Sequence, residues 1–460
     1  MIRWLGTRVS RFAERWVPDP FAIAILLTLG TALLCWLTSS LGLMEVIGLW
    51  GGRVQNGELL PKERGVWLLL TFAMQMCLIL VTGHALASSP PLKRAIAHLA
   101  ARPSSSAQAI TLTAVVAMLC ALLNWGLGLI VGALLARDVA AAARRRGLRI
   151  HYPILGAAGY TGLLVWHGGL SGSAPLKVTQ RKEMSRILGD GVDPLPLGET
   201  VFSAMNVSIV LGLLIVVPLL LVLMHPDDEG AIQEISDAQL PPQDTTPVPL
   251  EAPTPAERLE NSRLLAWGLA LMVGAYLFLY LGKLGIDRIG PNGINLAFLC
   301  LGLALHGSPR SYGDAVGQAT KGCSGIILQF PLYAGIMGMM ALSGLVTEFA
   351  GSVSEAVSAT ALAPVTFLSA GAVNLFVPSG GGQWALQGPV VVETAQALQV
   401  PISKVIMAFA HGDAWTNMLQ PFWALPLLGI TGLRASQLVG YTATLMLLVL
   451  PVFLGCFLIF

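Results

Sequence analysis

This chain has little charge. Asp, Glu, Lys and Arg make up 11% of its 460 residues, while 55% are hydrophobic. Soluble globular proteins carry ~25% charged residues. A water-soluble fold of this length needs more charge on its outside, so a soluble enzyme and a disordered chain are excluded. An excess of one sign is also lacking. The net charge of +2 implies no nucleic acid or other polyanion as partner. Metal-type cysteine spacing is lacking too: Cys35, Cys77, Cys120, Cys300, Cys323 and Cys456 each sit in a separate apolar run and read as small buried hydrophobes. No Gly-x-Ser-x-Gly elbow, His-Glu-x-x-His helix or phosphate-binding glycine loop with lysine occurs, which argues against a membrane-embedded hydrolase or acyltransferase.

What is present is glycine (50) and proline (28), both frequent in membrane helices and needed where such helices break. Apolar runs fall at about 21–39, 66–87, 107–136, 152–176, 198–224, 264–282, 293–306, 323–345, 362–398, 405–428 and 436–460, and every Lys and Arg lies outside them or at their edges. Residues 1–20 place Arg3, Arg8, Arg11 and Arg15 between Ile2, Leu5, Val9, Phe12 and Trp16. That is an interfacial basic amphipathic helix. The loops 88–106 and 137–151 are basic and should be cytoplasmic. The run between them, 107–136, should therefore enter and leave by one face. Its 30 residues are fewer than the ~40 that two crossings take. Interrupted at Asn124-Trp125-Gly126-Leu127-Gly128, it reads as a re-entrant hairpin whose tip needs a protein or water lining; a single kinked helix is the plainer alternative.

The expected fold is an all-α polytopic membrane protein, with about nine transmembrane helices plus two re-entrant hairpins in two inverted repeats. The N-terminus is placed in the cytoplasm and the C-terminus outside. The first membrane half, 21–224, contains hairpin 107–136. The second half, 264–460, contains hairpin 362–398. Between them, 225–263 holds seven prolines and nine acids against two arginines and reads as a disordered cytoplasmic linker. It ends in the capping box Thr254-Pro255-Ala256-Glu257.

The halves repeat an order of features. A span with Gln75 precedes a break at Asn124, then a helix with Trp166 that breaks at Gly168-Gly169-Leu170-Ser171-Gly172-Ser173. A span with Gln329 precedes a break at Asn374 to Gly382, then a helix with Trp415 that breaks near Asn417. Asn124 and Trp166 are 42 residues apart, Asn374 and Trp415 are 41. By side count the repeats are inverted, which points to a secondary transporter with a site near the bilayer midplane.

No Lys or Arg is read at membrane depth, so an anion would be held by neutral donors and positive helix ends. The candidate substrate-binding residues are Asn124, Gly126, Gly128, Gly169, Ser171, Gly172, Ser173, Asn374, Pro378, Ser379, Gly380, Gly381, Gly382 and Asn417. For each glycine or serine alone, helix packing is the plainer reading. Asp413, His167, His411 and Glu393 are candidates for taking up a coupling proton or cation, since buried ionisable groups in membranes are costly. Na⁺ near Asn124, Ser173, Asn374 and Asn417 is the one cofactor-like ion considered, with freed carbonyls as ligands. No other cofactor is expected.

Thr82 to Ser89, Asn124 to Gly128, Gly168 to Ser173, Phe376 to Pro389, Gly412 to Pro426 and Pro18-Asp19-Pro20 resemble signature stretches of the bacterial short-chain fatty acid transporters, the acetoacetate and butyrate permeases. The resemblance covers nearly the whole chain. It implies membership of the wider ion transporter superfamily, with inverted repeats, opposed hairpins, elevator-like movement and often a homodimer. It also implies a multi-pass protein of the bacterial inner membrane that imports a short-chain monocarboxylate with H⁺ or Na⁺. Another small organic anion and a channel remain as alternatives.

Overall fold

A computed structural model describes residues 2–60, 63–181, 184, 193–241, 254–284, 291–355 and 357–460. The middle of the linker and most of the loop 182–192 lie outside the described residues. The first half comprises α1 (Ile2–Trp16), α2 (Pro20–Thr38), α3 (Leu43–Gly51), α4 (Leu70–Ala87), α5 (Pro90–Ala100), α6 (Ser106–Leu123), α7 (Trp125–Arg145), α8 (Tyr152–Tyr160), α9 (Gly162–Val165), α10 (Ser173–Lys177) and α11 (Ala204–Met224). The second comprises α12 (Pro255–Glu260), α13 (Arg263–Leu284), α14 (Pro291–His306), α15 (Pro309–Thr320), α16 (Ser324–Leu342), α17 (Leu345–Glu355), α18 (Leu362–Asn374), α19 (Gly380–Ala397), α20 (Ile402–Thr416), α21 (Pro421–Thr431) and α22 (Ala435–Ile459). Among the described residues, two two-residue strands, Val54–Gln55 and Glu58–Leu59, are the only β-structure. The protein is an all-α polytopic membrane protein, with 8 helices among the described residues long and apolar enough to cross a bilayer.

Local chemistry sets the helix ends. Asp19 accepts from Phe21 N–H with Pro20 in the first turn. Ser105 caps α6 through Gln108 N–H, and Ser203 caps α11 through Asn206 N–H. The expected capping box is formed: Glu257 accepts from Thr254 N–H at 2.8 Å and Thr254 Oγ1 from Glu257 N–H at 3.3 Å. Each supplies an acceptor to an N–H that has none within the helix.

Three features differ from the sequence reading. The first hairpin is longer than its apolar run, because α7 continues to Arg145. Val139 and Ala140 to Ala143 are buried and carry the helix past charged Arg137 and Asp138. At 18 and 21 residues, α6 and α7 are about 27 and 32 Å long, so length does not forbid crossing. Secondly, 225–241 are packed rather than loose. Arg144 donates to Ile235 O and pairs with Asp237, Arg149 pairs with Glu229, and Ile235 is buried. The acids of the linker meet the basic end of α7 and the loop that follows it. Thirdly, α1 docks by Gly6, Ser10 and Ala13, a stripe that apolar spacing does not reveal. A Cβ on Gly440 of α22 would lie 2.3 Å from Ser10 Cα, while Phe12 and Trp16 face outward.

Glycine contacts order the core. A Cβ on Gly128 would lie 2.4 Å from that of Ala121, and one on Gly132 would lie 3.0 Å from that of Ala117, so α6 and α7 run antiparallel. A Cβ on Gly162 would meet Ala117 O at 2.9 Å, and one on Gly412 would meet Phe367 O at 2.1 Å. The chain thus makes one contact twice, α9 on α6 and α20 on α18, with the same 45-residue offset. Shifting the first contact by 250 residues gives the second, and carries Asn124 onto Asn374.

Candidate functional site

Both hairpins turn on an asparagine. Asn124 ends α6, and its Oδ1 accepts from Gly126 N–H (2.9 Å) and Leu127 N–H (3.3 Å) at the start of α7. Gly128 allows the close approach of α7 to α6. Asn374 ends α18. After a short loop with buried Pro378, Ser379 caps α19 through Gly382 N–H.

Each tip is fastened to a break. At the first, Ser171 Oγ accepts from Trp125 N–H (3.0 Å) and Leu170 N–H donates to Leu122 O (2.7 Å). Gly169 fits because a Cβ would lie 2.4 Å from Leu122 O, and Gly172 because one would lie 2.2 Å from His167 O. At the second, Asn374 Nδ2 donates to Asp413 O (2.8 Å), Thr416 Oγ1 (3.0 Å) and Asn417 Oδ1 (2.9 Å), while Gln420 donates to Asn374 O (2.6 Å). Asn417 also donates to Leu163 O, and its own carbonyl accepts from Tyr160 OH. The second break is therefore held by the first half.

The two halves meet at His167 and Asp413. His167 Nδ1 is 2.6 Å from Asp413 Oδ2, and both residues are buried. His167 Nε2 accepts from Ala174 N–H at 3.1 Å. Its proton therefore sits on Nδ1 and is donated to an Asp413 carboxylate. Asp413 Oδ1 has no partner among the described residues. His411 Nε2 lies 2.8 Å from Asn206 Oδ1, and Asn206 donates to Gly168 O.

The glycine tip closes over this pair. A Cβ on Gly380 would lie 2.7 Å from His167 Cε1, 3.1 Å from Trp166 and 3.2 Å from Asp413 Oδ2. Ser173 and Lys177 of α10 flank Gly381, and Lys177 Nζ donates to its carbonyl at 2.7 Å. This corrects the expectation that no Lys or Arg reaches the site. Lys177 lies just past the apolar run 152–176, but α10 begins at the break and turns it back onto the tip. Aromatic rings adjoin: Trp166 stacks on His167 at 4.4 Å, and Trp423 lies 6.5 Å from Trp166 and 5.3 Å from Trp125.

Nearly all the candidate residues therefore belong to one connected set. Glu393 stands apart, exposed on α19, thirteen residues or about 20 Å from Gly380. Sequence reasoning missed Lys177, Asn206, Thr416 and the tryptophan wall. The one available signal was Lys177 following the break by a helical turn. Among the described residues, no three His, Cys, Asp or Glu side chains cluster to hold a metal ion.

Comparison with known proteins agrees with the resemblance. The family model for short chain fatty acid transporters matches residues 1–460. A candidate short-chain fatty acid transporter of Escherichia coli (strain K12) is 39% identical over 97% of each chain. One of Haemophilus influenzae is 37% identical over 97% of this chain and 98% of its own. The solved YdaH transporter of Alcanivorax borkumensis is 17% identical, covers 96% of this chain and 97% of its own, and has a TM-score of 0.41, too loose a likeness for residue correspondence. With the full-length match and these two relatives, the chain belongs to the short-chain fatty acid transporter family, a family of membrane transporters and not of enzymes.

Proposed function

We propose that this transporter carries a short-chain monocarboxylate across the bacterial inner membrane together with a proton taken up at Asp413. The observation that carries the reading is the His167–Asp413 pair, buried beneath a glycine tip with a bare carboxylate oxygen. A buried ion with an unmet oxygen is costly, and a proton neutralises it. The N–H groups at the start of α19, Ser173 and Lys177 suit one carboxylate. Trp125, Trp166 and Trp423 suit a short acyl chain. A carboxylate and a proton together cross without net charge, which lowers the cost of translocation.

Repetition of the α6–α9 contact in α18–α20 supports two repeats. We read them as inverted and the motion as elevator-like, with the tips and breaks moving as a unit and the N-terminus in the cytoplasm. A homodimer is the matching assembly. Sodium coupling is the second reading, favoured by further buried oxygens without a partner among the described residues, Asn374 Oδ1 and Gln420 Oε1.

Purified protein in liposomes should accumulate labelled C2 to C6 monocarboxylates under an inward proton gradient without Na⁺. Accumulation that follows Na⁺ at fixed pH and ignores the proton gradient would overturn proton coupling. No uptake of any of these acids under either gradient would overturn the substrate.

A further inference from the structure

Away from the tips, a cleft of about 820 Å³ opens between α4, α7, α16 and α21. Three buried polar side chains line it: Arg137 at 8% exposure, His84 at 8% and Gln329 at 5%. Among the described residues the Arg137 guanidinium makes one hydrogen bond, from Nε to the neighbouring Asp138 Oδ1 at 3.1 Å. Both terminal nitrogens, the part of the fork that grips a carboxylate, are uncommitted. Gln329 Oε1 has no partner there either. Lys321 adds positive charge. Asp138 thus pairs with Arg137 through Nε alone, and two acids also line the cleft, Asp19, which accepts from Phe21 N–H, and Glu14, 3.5 Å from Gln233 Nε2. A second cavity, about 1230 Å³, shares Arg137, Gln318 and Lys321 with the first, so these side chains stand where the two join.

We infer that Arg137 is the core of a second carboxylate site, a station that the transported monocarboxylate occupies on its way to or from the tips. The inference rests on the proposed substrate class. Its chemistry is distinct from that of the tips, a guanidinium fork with a histidine and an amide beside it. A guanidinium kept nearly dry attracts a carboxylate more strongly than one in water, and an exposed mouth lets the ligand leave.

The test uses full-length Gln318→Cys protein in detergent, with labelling at position 318 by a maleimide followed by peptide mass spectrometry. Butyrate should slow labelling at least threefold, while butanol, which lacks the charge, should not. Arg137→Gln should abolish the protection. Arg137→Lys, which keeps charge but loses the fork, should weaken it, and this variant guards against a folding defect in the first. Asn374→Ala should lose uptake yet keep the protection, which separates this station from the tips. Protection unchanged in Arg137→Gln, absent in the parent, or equal with inorganic phosphate or butanol would overturn the inference. Protection by butyrate without uptake into liposomes would leave the station standing and sink the transport reading.

Discussion

Asp413 and His167 are polar residues buried 246 positions apart in sequence and joined by one short hydrogen bond. Substitution of either partner has distinct consequences. His167→Ala leaves a buried carboxylate without its donor, a loss on the order of 3 kcal/mol, and should lower the thermal midpoint in detergent. Asp413→Asn imitates the protonated acid. It should abolish accumulation driven by a proton gradient, more than tenfold, while labelled-for-unlabelled substrate exchange persists. Accumulation at the parent level would show that the coupling proton binds elsewhere. Asp413 and His167 were both legible as candidates because ionisable groups inside apolar runs stand out. Their pairing was not, since nothing in the spacing of residues tells which buried groups will touch. Lys177 escaped for the opposite reason: it sits among other charged residues at the end of a run, and only the turn of α10 aims it inward.

At the scale of elements, the breaks are the informative features, and they were visible as glycine clusters beside an asparagine. Side-chain caps explain why the chain can stop and restart there, with Asn124 and Ser379 each serving the helix that follows. The partners of those helices are chosen by glycine. A Cβ on Gly132 of α7 would lie 2.1 Å from Gly159 O of α8, and backbone cannot yield as a flexible side chain can. Gly132→Ala should therefore cost about 1–3 kcal/mol. Gly48→Ala in α3, with nothing within 4 Å, should be neutral or stabilising by up to ~1 kcal/mol through helix propensity. Equal thermal midpoints for the two variants would refute close packing of α7 on α8. The length of α7 was misread because charge ended the apolar run before the helix ended.

For the whole molecule, the basic end is tied together through His151. Its Nδ1 accepts from Gln233 N–H of the linker, and its Nε2 lies 2.9 Å from Tyr441 OH of α22. Burial pushes its pKa down to about 3, with His225 a further cause, and burial likewise lowers that of His225. A lowered histidine pKa means the unfolded chain binds the proton more tightly. The contribution is whole above about 6.5 and is lost as pH falls toward 3. The thermal midpoint in detergent should thus drop by roughly a few degrees between pH 7 and 5, and His151→Gln should flatten that slope. An identical slope in the variant would assign the acid sensitivity to other groups.

Sequence alone determined the membrane class, the helical fold, the two interruptions and the family, because a bilayer admits few solutions for the backbone and each leaves a mark in composition. Tertiary structure alone decided that His167 meets Asp413, that Lys177 reaches a glycine tip and that Arg137 borders two cavities. Such meetings depend on how rigid helices pack across hundreds of residues, and pairwise contact at that separation has no local signature.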